Sequence, residues 1–206
     1  MIFDTIGNLY GTTLGGGNYS ACQSAGCGVV FRLSPAVGHW AESILHKFEG
    51  TGDGNGPSGS LVFDRSGALY GATSGESVYN SGNVFKLSLQ GGVWTETVLY
   101  TFQGLPSDGS WPQGVMFVGK DLFGTTALGG LYGQGCCSLG GTAFELTPPQ
   151  TGNGAWTETV LWNFGDGSDG HGPNALTLKG GIFYSTASDN GQSCQFGCGT
   201  VFELVP

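Results

Sequence analysis

The sequence predicts an all-β chain built from four tandem units and arranged like the blades of a β-propeller. Three observations point there. One multi-part motif recurs along the chain at a spacing of roughly 55–60 residues, a period typical of repeat architectures. Each part is short, β-branched or aromatic, and bounded by Gly, Asn, Ser or Pro, as strands are. Glycine supplies 41 of 206 residues without a collagen-like period, and no stretch carries the 3.6-residue pattern of an amphipathic helix.

The units read in chain order. Repeat one (1–60) opens on Ile2-Phe3-Asp4, continues through Gly7-Asn8-Leu9-Tyr10-Gly11-Thr12-Thr13 and Gly28-Val29-Val30-Phe31-Arg32-Leu33, and ends on Trp40-Ala41-Glu42-Ser43-Ile44-Leu45. Repeat two (61–115) carries Val62-Phe63-Asp64, Gly67-Ala68-Leu69-Tyr70-Gly71, Gly82-Asn83-Val84-Phe85-Lys86-Leu87 and Trp94-Thr95-Glu96-Thr97-Val98-Leu99. Repeat three (116–175) offers Met116-Phe117-Val118, Asp121-Leu122-Phe123-Gly124, Gly141-Thr142-Ala143-Phe144-Glu145-Leu146 and Trp156-Thr157-Glu158-Thr159-Val160-Leu161. Repeat four (176–206) holds Leu176-Thr177-Leu178, Gly181-Ile182-Phe183-Tyr184 and Gly199-Thr200-Val201-Phe202-Glu203-Leu204, with no Trp-led element after them. Strict alternation puts Phe85 and Leu87 on one face and Lys86 on the other. Four strands per unit, with the last lacking its outer strand, gives an expected fifteen. The Gly-Asn-Leu-Tyr-Gly strand is expected near the propeller axis, where glycines let backbones approach. An open β-solenoid is the alternative.

Composition excludes some functions. Charged residues are 10% of the chain, with 15 acids against 6 bases and a net charge of −9. A nucleic-acid partner needs a broad basic patch, and an anionic membrane surface needs one too. The opening residues carry no basic and apolar leader pattern, and no run of 18 apolar residues occurs, so the chain reads as soluble.

The combination of D-x-x-G-N-L-Y-G-T-T, G-x-V-F-K-L and W-T-E-T-V-L-Y-x-F, followed by Asp-Gly-x-x-Pro turns at Asp53–Pro57, Asp108–Pro112 and Asp169–Pro173, resembles the Gloeobacter/Verrucomicrobia tandem repeat over nearly the whole chain. The resemblance implies an extracellular or cell-surface bacterial protein. It implies no established reaction and no set of catalytic residues. Val118 and Leu178 stand where repeats one and two carry the strand aspartates Asp4 and Asp64.

The function expected is therefore a non-catalytic extracellular module that binds glycan or protein or serves as surface structure. A secreted hydrolase acting on a polysaccharide is the alternative. Its candidate acids are Glu76, Asp121, Asp166 and Asp189, each specific to one repeat. Candidate binding residues are Trp111, His171, Asp108 and Asp169 in the turns. Those turns also have a plain conformational reading, in which Asp accepts backbone N–H bonds and Gly supplies positive φ. A calcium loop starting at Asp166 fails, because its sixth and twelfth positions are His171 and Thr177 rather than Gly and Glu. Glu42, Glu96 and Glu158 recur at one outer-strand position and are expected on a solvated face. No cofactor and no metal site is expected: no HExxH occurs, and no cysteine pair has CxxC spacing or a nearby histidine.

Six cysteines fall in close pairs, which suits an oxidising compartment. Cys22–Cys27 and Cys194–Cys198 are expected to close the loop before the third strand of their repeats. Cys136 and Cys137 form a vicinal disulfide or stay reduced. A monomeric four-blade ring is favoured over a homodimer, and the unblunted final strand is a template for pairing with another chain.

Overall fold

The structure is a computed structural model that describes residues 1–22, 25–50, 52–75, 81–133, 140–151, 154–166, 169–191 and 198–205. It is all-β and antiparallel, with four four-stranded sheets and no α-helix among the described residues. Sheet one takes β1 (Ile2–Phe3), β2 (Leu9–Thr13), β3 (Val29–Ala36) and β4 (His39–Lys47) in that order. Sheet two repeats the meander with β5 (Pro57–Phe63), β6 (Leu69–Thr73), β7 (Asn83–Gln90) and β8 (Val93–Thr101). Sheet three does so with β9 (Gly109–Val118), β10 (Asp121–Gly129), β11 (Thr142–Thr147) and β12 (Thr157–Asn163).

Sheet four corrects the expected strand count. Its first strand is split into β13 (His171–Pro173) and β14 (Thr177–Lys179), both paired with β15 (Ile182–Gly191), and β16 (Cys198–Leu204) lies on the other side of β15. Among the described residues there are sixteen strands, and β16 has no outer neighbour. The split has a counterpart in sheets two and three. Register slips between Ser58 and Val62 in β5 and between Pro112 and Val115 in β9. In repeat four the same irregularity goes further, and Asn174 bonds laterally to the carbonyl and hydroxyl of Thr186.

Alternating side chains give each sheet two apolar faces, so the sheets stack in chain order. Tyr10, Val30 and Phe48 of repeat one pack on Leu61, Leu69, Phe85 and Leu87 of repeat two. Tyr70, Val84 and Phe102 of repeat two pack on Val115, Leu122, Phe144 and Leu146 of repeat three. The Phe that closes each outer-strand motif meets the third-strand Phe of the next repeat. The pairs are Phe48–Phe85 at 5.2 Å, Phe102–Phe144 at 5.0 Å and Phe164–Phe202 at 4.7 Å between ring centroids. Val201 occupies the position of the fully buried Val30, Val84 and Ala143 yet is 80% exposed, because no sheet of the described residues covers it.

The motif's glycines and prolines build the same seams. Gly28, Gly82 and Gly141 each have positive φ, and a Cβ there would sit 2.4–2.7 Å from the Pro57, Pro112 or Pro173 ring of the next turn. Beside each contact, the amides of Gly56, Trp111 and Gly172 donate to the carbonyls of Cys27, Ser81 and Gly140. The Gly-Asn-Leu-Tyr-Gly strand and its counterpart lie second in their sheets, β2 between β1 and β3 and β6 between β5 and β7. The closing glycine of the motif makes room for a ring within its own sheet, since a Cβ on Gly71 would be 2.6 Å from Phe85. Close backbone approach falls on the preceding strand, where Gly59 lies against Gln113 and Gly114 of the next sheet.

The Cys22–Cys27 disulfide is present. Cys136, Cys137 and Cys194, and the side chain of Cys198, lie outside the described residues.

Candidate functional site

Two kinds of polar feature recur at the seams, at opposite ends of the strands. The first is a groove beside the hairpin turns. Between sheets one and two it encloses about 920 Å³ and is lined by Asp4, Tyr10 and Arg32 on one side and by Phe63, Arg65 and Trp94 on the other. Between sheets two and three an equivalent groove of about 840 Å³ is lined by Asp64, Arg65, Tyr70, Phe117, Lys120 and Trp156. Tyr10 meets Phe63 edge to face at 5.1 Å, and Tyr70 meets Phe117 the same way at 4.9 Å. The tyrosine hydroxyls donate to Asp4 and Asp64 at 3.2 and 3.1 Å.

These aspartates also hold their hairpins. Asp64 accepts from the amides of Ser66 and Ala68 and from the Ser66 hydroxyl. Desolvation pushes its carboxyl up, but these bonds together with Tyr70 outweigh that and keep it below the ordinary carboxylate range. Lys86 lies 3.8 Å from Asp64 and 5.3 Å from the Tyr70 ring centroid. The chain's six bases are thus unevenly spread. Arg32, Arg65 and Lys120 line the two grooves and Lys86 adjoins them.

The second feature is an acid cluster at the far ends of the outer strands. A bulge sets it up. Register slips at Leu45, Leu99 and Leu161, so the next residue turns from its own strand's glutamate face to the opposite face. His46, Tyr100 and Trp162 therefore point at the following repeat. Each meets the Asp of the Asp-Gly-x-x-Pro turn: His46 lies 3.5 Å from Asp53, Tyr100 donates to Asp108 at 3.0 Å, and Trp162 donates to Asp169 at 2.7 Å. The same aspartates accept the backbone amides of Glu49, Gln103 and Gly165. In the first two seams a glutamate from the next outer strand joins: Glu96 lies 3.9 Å from His46, and Tyr100 contacts Glu158 at 3.1 Å. The expectation of a solvated face fails for Glu96 and Glu158, because the preceding repeat covers them, and holds for Glu42.

The Tyr100 hydroxyl has one proton and contacts two carboxylates, so it donates to only one of them. Burial, then the charge of Asp108, pushes Glu158 up to about 7. A carboxyl whose pKa is higher folded than unfolded stabilises the fold below the unfolded value, and this contribution is lost as pH rises through the folded value. Wild-type stability is therefore expected to fall between about pH 4.5 and 7 relative to Glu158→Gln. Discounted for solvent screening, the relative change is on the order of 1 kcal/mol. Parallel urea titrations of the two proteins across that range check it, and curves that stay parallel refute it.

The residues singled out in the sequence are dispersed. Asp108 is 5% exposed and committed to its turn, and Asp169 caps the next turn. His171, on β13, pairs across to Asp189 on β15. Trp111 is 42% exposed and has φ of 59°, a left-handed conformation unusual for a bulky side chain. It stands where the other turns carry Gly56 and Gly172. Asp121 pairs with Lys120 at 2.8 Å, Asp166 lies in an exposed turn, and Glu76 lies outside the described residues. Sequence reasoning missed Tyr10, Tyr70, Arg65, Trp94 and Trp156 as one set. Their signal was present, since each tyrosine follows its strand Asp by six residues and each tryptophan opens the Trp-led motif.

Antiparallel sheets joined through the same residues seam after seam define a tandem-repeat β-protein. The chain belongs to the Gloeobacter/Verrucomicrobia repeat family, whose model matches residues 1–206. Neither a curated protein nor a solved structure matches the chain. Among the described residues no helix is long and apolar enough to cross a membrane.

Proposed function

We propose that the chain is a non-catalytic extracellular binding module whose repeats stack as propeller-type blades and whose seam grooves hold an acidic glycan. The observation that carries this reading is the recurrence of one groove at two successive seams, with Tyr, Phe, Trp and a base at matching places. Repetition at the seam period suits a polymeric ligand, which engages several equivalent sites at once. An acidic ligand is supported by the placement of bases: a chain of net −9 gathers Arg32, Arg65 and Lys120 in these grooves, beside Asp4 and Asp64. A guanidinium pairs with a uronate carboxylate or a sulfate through two parallel N–H···O bonds, while Trp94 and Trp156 offer faces to the C–H side of sugar rings. The blade arrangement is supported by a small cavity of about 180 Å³ where first strands of three repeats meet, lined by Ser60, Val115, Met116 and Leu176. The Cys22–Cys27 bridge fits an oxidising compartment.

Arg65 lines both grooves and sits on an exposed hairpin turn, so Arg65→Ala separates binding from folding. Titration calorimetry with polygalacturonate and a sulfated glycan is expected to show salt-sensitive binding, weakened at least about tenfold by Arg65→Ala as charge-assisted contacts are lost. Binding of neutral dextran with equal affinity, or no binding of either acidic polymer, rejects the proposal.

A further inference from the structure

We infer that His46, Asp53 and Glu96 form a binding site for one divalent transition-type cation, which clasps repeat one to repeat two. Among the described residues these three form the group of His, Cys, Asp and Glu side chains close enough to share an ion, with donor atoms all within 4.8 Å of one another. His46 comes from the end of β4, Asp53 from the following turn and Glu96 from β8 of the next sheet. The His46 Nε2 lies 3.5 Å from Asp53 Oδ2 and 3.9 Å from Glu96 Oε2. An ion held at 2.0–2.2 Å from each donor in tetrahedral geometry separates its ligands by about 3.3–3.6 Å, so little movement closes the site.

Independent of that spacing, the site leaves polar atoms stranded. His46 Nε2, Asp53 Oδ1 and Glu96 Oε1 are all shielded from solvent without a hydrogen-bond partner. Buried polar atoms without partners are costly, and a cation satisfies all three side chains together. The surroundings already orient the ligands. The Glu49 amide donates to Asp53 Oδ2 at 2.8 Å, and the His46 ring stands edge to face on Phe48 at 4.7 Å. One nitrogen and two carboxylates suit Zn²⁺, Co²⁺ or Mn²⁺ better than Ca²⁺, which takes oxygen ligands.

The next seam supplies a built-in comparison. There Tyr100 occupies the His46 position, and its hydroxyl contacts Asp108 and Glu158, the counterparts of Asp53 and Glu96. A phenol with a shared proton does in seam two what an ion does in seam one. In sequence the three ligands are widely spaced and belong to two repeats, which is why cysteine and histidine spacing pointed to no metal site.

The test uses the whole chain, stripped with EDTA and kept oxidised. Zn²⁺ calorimetry is expected to show one equivalent bound, with a raised unfolding midpoint that EDTA reverses. Co²⁺ is expected to give d–d bands without a thiolate charge-transfer band. His46→Tyr, which installs the side chain already tolerated at the equivalent position, is expected to abolish that equivalent while its far-ultraviolet spectrum stays native. Tyr100→His is expected to add a second equivalent. Absence of binding in the wild type, binding that His46→Tyr leaves intact, or no second equivalent in Tyr100→His overturns the inference.

Discussion

Gly59→Ala is expected to destabilise the chain by more than about 3 kcal/mol, whereas Gly67→Ala costs only about 1–2 kcal/mol. Both glycines have positive φ, +71° at Gly59 and +84° at Gly67, so both substitutions force an L-residue into the left-handed region. They differ in what the new methyl meets. At Gly67 nothing lies within 4 Å. At Gly59 the Cβ would stand 2.2 Å from the Gln113 carbonyl oxygen and 2.8 Å from the Gly114 Cα. Those are backbone atoms of the next sheet, and they cannot rotate away. Relief requires the seam between repeats two and three to open, with loss of the Ser58 hydroxyl bond to the Pro112 carbonyl at 2.7 Å. Urea unfolding of both variants measures the difference. Equal costs would mean that the first strands do not press together at Gly59.

Much of this architecture was readable from local pattern. Period-2 alternation placed Phe85 and Leu87 on one face and Lys86 on the other, and the packing follows it. Cys27, directly before the third-strand glycine, named its partner Cys22 by position. What escaped depended on a single inserted residue or on a neighbour distant in sequence. The bulge at Leu99 reverses Tyr100 relative to Glu96, and period-2 counting cannot foresee a slip. Without it, Glu96 and Glu158 read as water-facing; with it, each receives a ring and an aspartate from the preceding repeat. The grooves escaped for a different reason. Asp64 and Tyr70 looked like parts of a strand, and only stacking brings Phe117 and Trp156 of the next repeat beside them. Trp111 was visible at once as an aromatic in a turn, but its strain appears only when the turns are aligned on Gly56 and Gly172.

The seams also predict that one residue type carries very different weight along the chain, and the third-strand phenylalanine shows it best. Phe85→Ala is expected to cost about 3–5 kcal/mol, the range for deleting a fully buried aromatic ring. Phe85 has no exposed surface, its ring covers Gly71, and it receives the edge of Phe48 from the preceding repeat. Removing it leaves a cavity walled on one side by a different sheet, which cannot collapse without moving the repeat. Phe31 holds the same place in repeat one and covers Gly11 in the same way. It is only partly buried, and among the described residues no sheet stacks against that face of β3. Water already reaches the ring, so Phe31→Ala loses less transfer free energy and leaves an open dent instead of a void. Its expected cost is about 1–2 kcal/mol, roughly that of a partly buried side chain. The two substitutions remove identical atoms from equivalent strands, so their difference isolates the contribution of the neighbouring sheet. Urea denaturation of the pair reads it directly. Costs within about 0.5 kcal/mol of each other, close to the scatter expected between unrelated sites, would show that each sheet is stabilised from within and that the stacked seams contribute little.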